Sequence, residues 1–414
     1  MLKFTFLLLI TSCSYFISKI DAPLIQEDRI ERGPLKATYC PLDHKYAVQL
    51  IGTNEPSQTA YIDMAREWKL DFFDHFALWS LMQLSVRPDQ SSATSRLQVL
   101  IQNEDKSFYF DFFSETPEEQ YPYFYGVEWI LRKFGKKTTL EHYAKMLESS
   151  LGKKLKLGKD LEAFLFLHRE EIKANPVLQS YYYRGNEILK ENETNPFVNY
   201  TELIKAYRNV EKNQKIVINT YLTPFVTNRG QSGKCNYDFN LYDNSIFLID
   251  KIIPVANIFG FKKDKNAFMA SSSQKIDKVI PLGQSPLFKG ESKVRSSAVC
   301  VIENDPNRIW AFSNQSRDPG QHLFHLVRYG LPRSQSIPEI DRLIRHSRHL
   351  FLSDPVRLII ESGRSRGEQI ENLLKLNLPI YNAEKLGNIW AYASIDNTSR
   401  FIIDDRNPGA FVCK

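Results

Sequence analysis

The residues whose spacing most resembles reactive chemistry are Gly363-Arg364-Ser365-Arg366-Gly367. A Gly-x-Ser-x-Gly run between a strand and a helix has the form of a nucleophile elbow. A tight turn there exposes the serine hydroxyl, and the helix amino terminus helps to stabilise an oxyanion. Arg357–Ile360 reads as a strand and Glu368–Leu376 as a helix, so Ser365 is a candidate nucleophile for an esterase-like reaction. The acyl-transfer order of serine, acid, histidine then fails, because no histidine follows His349 and the chain ends too soon for the rest of such a fold. A dyad with Asp404 or Asp405 avoids the missing histidine but leaves too short a region between the partners. A glycine-bounded turn with Ser365 near a helix cap is the plainer account.

Two other sets of side chains have suggestive spacing. His322-x-x-His325 and His346-x-x-His349 each put two imidazoles on one helix face, and four such nitrogens would suit Zn²⁺ or Cu²⁺ if the helices met. Neither pair includes a carboxylate, Arg345 and Arg348 flank the second, and Leu323, Leu326 and Val327 surround the first. Ordinary core or surface histidines fit better, and the sequence calls for no metal and no cofactor. Asp71, Asp74 and His75 could do acid–base work on an aromatic helix, although a solvated helix face is the commoner account of such residues, and Asp43-His44 is an equally thin case.

Basic residues cluster at Lys153-Lys154-Leu155-Lys156-Leu157-Gly158-Lys159 and at Arg328, 333, 342, 345, 348, 357, 364 and 366. They could meet anionic lipid or acidic glycans, but solvated faces and ion pairs account for them more simply. No nucleic-acid motif accompanies the charge. Tyr181, Tyr182 and Tyr183 beside Arg184 could stack on a sugar ring or a peptide, or form the edge of a core. The N-x-S/T sequons at Asn192, Asn199, Asn314 and Asn397 are about as many as chance supplies in so Asn-rich a chain.

The elements that would position these groups fall into two textures. Tyr61, Met64, Trp68, Phe72, Phe76 and Trp79 recur at helical steps. Leu97–Ile101, a turn at Asn103-Glu104-Asp105, and Phe108–Phe113 predict a hairpin. Residues 117–211 read as helices, with Pro117 at a first helical position, Thr138 and Glu141 as a capping box, and amphipathic runs over Asp160–Lys173 and Tyr200–Val210. From about 214 short strands predominate, at Lys215–Leu222, Ser245–Asp250, Ser297–Ile302 and Arg308–Ser313. The last 90 or so residues mix helices (His322–Tyr329, Pro338–His349) with a strand at Asn388–Ala393. Ile309-Trp310-Ala311-Phe312 is echoed by Ile389-Trp390-Ala391-Tyr392, a hint of a duplicated strand. The expected class is α+β: a mainly helical domain over 57–212, then an α+β domain over 213–414.

The first residues, Met1-Leu2-Lys3 and then the apolar Phe4–Ile10, have the order of an export signal, too short to span a membrane as a mature helix. Ile10-Thr11-Ser12-Cys13 resembles the lipobox of bacterial lipoproteins. That resemblance covers only these first residues. It implies a signal peptide over 1–12, lipid attachment at Cys13, a lead-in over 13–56, and Ser14 favouring the outer membrane. The alternative is an ordinary secretory signal running to about Ala22. Either way the five cysteines divide into Cys13 and four others, Cys40, Cys235, Cys300 and Cys413, which an oxidising compartment could pair in three ways.

An aromatic fraction of 13%, an apolar fraction of 43% and ordinary Gly and Pro content exclude a disordered or collagen-like chain. The sequence points first to a membrane-anchored envelope lipoprotein that binds or supports a partner protein, glycan or lipid, and leans away from an enzyme. An envelope hydrolase, serine esterase-like or glycan-acting, is the first alternative, and an ordinary secreted soluble protein the second.

Overall fold

The architecture is seen in a computed structural model, which describes residues 37–115, 120–151, 154–196, 198–240, 255–274, 296–304, 307–353, 356–361, 363–365, 367–406 and 409–414. Two antiparallel sheets stack face to face. The first has the order β16 (Ala410–Cys413), β1 (Val48–Gly52), β7 (Val255–Lys263), β8 (Asn266–Gln274), β2 (Arg96–Asn103), β3 (Lys106–Ser114) and β4 (Ile216–Asn219). The second runs β15 (Thr398–Ile402), β14 (Asn388–Ile395), β10 (Asn307–Asn314), β9 (Ala298–Asn304), β6 (Ser232–Cys235) and β5 (Thr223–Val226). A smaller sheet of β11 (His349–Ser353), β12 (Val356–Ile360) and β13 (Ile380–Asn382) stands beside them.

Alternation along the strands builds three cores. Leu97, Val99, Ile101, Phe259, Phe261 and Phe268 face outward from the first sheet, under α1 (Glu55–Glu67), α2 (Phe72–Val86), α3 (Pro122–Lys133), α4 (Leu140–Leu151), α5 (Lys159–Leu167) and α6 (Tyr200–Val210). Their neighbours Leu100, Ile258 and Met269 face inward, against Val299, Val301, Trp310, Phe312, Trp390 and Tyr392 of the second sheet. On the far side Cys300, Ile302, Ala311 and Ala391 pack beneath α7 (Pro319–Tyr329) and α8 (Ile337–Arg345). The result is four layers, helix–sheet–sheet–helix. Gly126 lets α3 lie flat on β3, since a Cβ there would meet the Phe112 ring at 2.7 Å.

The hairpin expected at Leu97–Phe113 forms, with Asn103 opposite Lys106. The echo between 309–312 and 389–392 is a pairing of neighbours: β10 and β14 lie antiparallel, with Trp310 opposite Tyr392 and Phe312 opposite Trp390. The aromatic stripe from Tyr61 to Trp79 is split into α1 and α2, because Asp71 caps a new helix in a capping box with Asp74 and leaves Trp68 exposed. The helix near 117 begins at Pro122 instead, and Pro117 lies outside the described residues. The chain is α+β, and a helical-then-mixed order does not stand out clearly in it. Strands from before residue 115 pair with β7 and β8, and β1 pairs with the carboxy-terminal β16, so residue 212 does not divide two sheets.

Two disulfides join distant parts. Cys40–Cys413 ties the described amino terminus to β16, and Cys235–Cys300 links directly opposed residues of β6 and β9. Paired cysteines mark a chain that folds in an oxidising compartment outside the cytosol. Among the described residues no helix is long and apolar enough to cross a membrane. Cys13 and the strand expected at Ser245–Asp250 lie outside the described residues.

Candidate functional site

At one end of the sheet sandwich the layers part to leave a cleft of about 240 Å³. The starts of two central strands form its floor, with Ala256 and Ile258 from β7 and Asn388 and Trp390 from β14. Thr53 follows β1, Lys385 precedes β14, and α5 contributes Asp160 and Phe164. A further wall is formed by Arg87, Asp89 and Gln90, just past the end of α2.

That wall forms for a local reason. Within α2 all residues except Phe73 and Asp74 are buried, so the chain leaves it deep inside the molecule. Pro88 stops the helix, and the polar residues that follow must be satisfied in place. The Arg87 backbone nitrogen donates to Gln83 O, and Gln90 N and Ser91 N donate back to Arg87 O. The guanidinium donates to both oxygens of Asp89, at 2.9 and 2.7 Å, and to Asp160 Oδ2 at 3.1 Å. Burial opposes its charge, but the two carboxylates outweigh that and raise its pKa. Burial, with Asp89 nearby, pushes the Asp160 carboxyl above its ordinary value although Arg87 and Lys385 oppose this.

Behind the cleft polar contacts continue on both sides of β7, toward α2 and toward the second sheet. Asn257 Nδ2 donates to Gln83 Oε1 at 2.9 Å and to Ser91 Oγ at 3.2 Å, and Asn314 Nδ2 donates to Ala256 O. Four buried atoms of the cleft's own side chains have no hydrogen-bond partner among the described residues: Thr53 Oγ1, Gln90 Oε1, Asn388 Oδ1 and Trp390 Nε1. Buried polar groups are ordinarily satisfied, so this cleft can take a polar ligand. A carboxyl with a raised pKa in such a place is suited to proton transfer.

The residues singled out from the sequence lie elsewhere. Ser365 donates to Glu361 O at 2.8 Å and lies beside Ser347 Oγ; its backbone also donates to Glu361 O. It is held in the turn before α9 (Gly367–Leu374), and among the described residues neither imidazole nor carboxylate is hydrogen-bonded to its hydroxyl. Asp404 is fully engaged with Arg348 and Arg406, and Asp405 with Arg364. Of the four histidines, His325 and His349 come together with ring centroids 4.0 Å apart, while His322 bonds Ser316 Oγ and His346 its neighbour's carbonyl. Among the described residues no three metal-ligating side chains converge.

Asp71 and Asp74 cap α2 and pair with Lys136, and His75 is buried between Tyr61 and Phe261. Asp43 and His44 are exposed. Of the arginines, 345, 348 and 364 form ion pairs, and 328 and 333 bond Asn228 and the Arg229 carbonyl. Arg366 and Lys153 lie outside the described residues. Tyr182 is core and Tyr183 bonds Arg169 O, while Asn314 is wholly buried and Asn199 caps α6. The signal for the cleft was present but unread: an apolar helix running into Arg-Pro-Asp-Gln-Ser-Ser.

No known protein family and no curated protein matches the chain in sequence. Solved structures do match in shape. The protein LmbA2991HD superposes with a TM-score of 0.61 at 9% identity, covering 93% of this chain and all of its own. A cephalosporin acylase from Bacillus halodurans gives 0.57 at 7% identity, over 92% of this chain and 98% of the acylase. The fold resembles that of an acylase. At such low identity the likeness is one of architecture, and it gives no residue a role.

Proposed function

We propose that this chain is an exported hydrolase that takes a small polar substrate into the cleft between the sheets and cleaves an acyl bond there, amide or ester. The observation that carries this reading is the cleft itself: a raised carboxyl, Asp160, beside buried unpartnered polar atoms, in a fold like that of an acylase. Asp160 would move the proton, Arg87 would hold it in place, and Thr53 supplies the one hydroxyl among the described lining residues. The test is release of chromophore from a panel of N-acyl p-nitroanilides and p-nitrophenyl esters by the purified protein. Turnover abolished by Asp160→Asn but retained by Ser365→Ala supports the proposal. Turnover that survives Asp160→Asn, or none on the whole panel, counts against it.

One observation favours a second reading, binding without turnover. No imidazole lines the cleft among the described residues, and Asp89 and Asp160 are both tied to Arg87. Saturable ligand binding that Asn388→Ala weakens, with no product formed, would establish it. The membrane anchor is a separate proposal. Lipid attachment at Cys13 predicts an acylated Cys13 in mass spectra of the mature amino terminus, and a free peptide beginning near Pro23 would overturn it.

A further inference from the structure

The cleft residues Lys385 and Asn388 lie on the short segment that leads into β14, with Asn388 as the strand's first residue. The segment's backbone is pinned from one side by charge. Leu386 N donates to Glu361 Oε1 at 2.6 Å, Arg348 Nη1 donates to Leu386 O at 2.9 Å, and Ile389 N donates to Asp404 Oδ2 at 2.9 Å. Ala383 N donates to Ile360 O. From the other side it rests on imidazole. Gly387 takes a positive φ of 63°, and a Cβ there would lie 2.9 Å from His322 Cδ2. One turn along α7, the His325 ring lies against His349 at the start of β11, tilted by 32°. Beside them Gln321 pairs both ways with the Phe351 backbone.

We propose that His322, His325 and His349 form an acid-sensitive latch on the segment that carries Lys385 and Asn388 into the cleft. None of the three rings has a hydrogen-bonded carboxylate among the described residues, and Nδ1 of His322 and of His325 is buried without a partner. The nearest charges are cationic: Arg348 and Arg406, whose carboxylate partners Asp404 and Glu361 are already engaged. His346 and Tyr329 close the outer side. The other charged groups on the elements packed here are Arg345 with Asp341, Arg328 on Asn228, Asp318 on Gln321, Glu339 on the Gln335 backbone, exposed Arg342, Arg357 over the Tyr381 ring, exposed Glu384, and Lys385 on the Arg406 carbonyl. A proton added to any of the three rings meets like charge and no acceptor.

Burial and these cations hold His322 and His325 well below the ordinary histidine range, and burial with His346 nearby brings His349 down to about 4. A folded pKa below the open-state value means that the opened segment binds more protons. Docking is therefore complete above about pH 6.5 and weakens as pH falls toward 4.

Hydrogen exchange of the intact protein tests this without a ligand. After correction for intrinsic rates, His349 alone predicts that the amides of Ala383, Leu386 and Ile389 lose about twentyfold protection between pH 7 and pH 5. The β2–β3 hairpin should keep its protection. In the triple variant His322→Gln/His325→Phe/His349→Phe the change in the segment should shrink to less than about threefold; if that protein does not fold, His349→Phe alone must reduce it. Protection independent of pH, equal loss in the hairpin, or an undiminished loss in the histidine variants would each overturn the latch. The outcome is independent of whether the cleft turns over a substrate.

Discussion

Two buried charge networks in this molecule use the same residue types and differ in what they leave over. In the first, Arg87, Asp89 and Asp160 meet at the cleft, where the Asp160 side chain keeps 24% of its exposure. In the second, Arg348, Arg406, Glu361 and Asp404 join α8, β12, the 383–389 segment and the turn after β15. There Glu361 accepts from the Arg348 and Leu386 backbone and from Arg406, and Arg406 also bonds the Ile344 and His346 carbonyls. Glu361 and Arg406 show 0% exposure. A network whose carboxylates and peptide groups are so fully used is a clamp, whereas one beside unpartnered atoms in an open cleft has capacity for a ligand. Charge in the interior therefore does not by itself locate function, and neither does one unpartnered atom, since the clamp leaves Arg348 Nε without a partner among the described residues; several such atoms beside an opening do.

The contrast is broken most severely at Arg406. Arg406→Ala strands Glu361 and half of Asp404 in a sealed site, which costs about 3–5 kcal/mol, read as a lower denaturant midpoint at unchanged m-value. Arg87→Met strands Asp89 and Asp160 in the same way, but the cleft admits water to Asp160. The expected loss is smaller, about 2 kcal/mol. Asp160, already raised by burial, loses the opposing guanidinium and rises further, so that variant should regain stability as pH falls from 8 to 5. Equal losses in the two variants would mean that the cleft network is as sealed as the clamp.

A third variant bears on what the sequence could reveal. Ser365→Ala removes a hydrogen bond within a turn and should cost about 1 kcal/mol in thermal or chemical unfolding with no change in any turnover. The Gly-x-Ser-x-Gly spacing is visible in the sequence, but the hydroxyl's partner, the Glu361 carbonyl, is set by the fold. The hairpin at Leu97–Phe113 and the α6 run were legible because their alternation and periodicity are local. Strands β7 and β8 were not, because they are covered on both faces. Phe259 and Phe261 face helices while Ile258 faces the other sheet, so Val-Ala-Asn-Ile-Phe-Gly-Phe shows no polar alternation. Only one wall of the cleft was legible, the Arg-Pro-Asp-Gln run; the rest was not, because Arg87 and Asp160 lie far apart in sequence and meet only when α5 packs beside the end of α2.

The smallest expected effect separates the networks most clearly. Asp404 is held below the ordinary carboxylate range: burial opposes its charge, but Arg348 and Arg406 outweigh burial. Its ionised form stabilises the fold above its unfolded pKa, and that stability is lost as pH falls through its lower folded value. Asp160 is displaced in the other direction, chiefly by burial. Its raised folded pKa means that the protonated form suits the fold, so the stability it contributes is present at low pH and lost as pH rises through that value. An uncharged isostere mimics the state that the fold already prefers. Asp160→Asn should therefore change unfolding free energy by no more than about 0.5 kcal/mol at pH 7, measured by urea titration, while removing any turnover in the cleft. A loss of several kcal/mol would make Asp160 a second clamp residue and take away the chief reason for placing chemistry there.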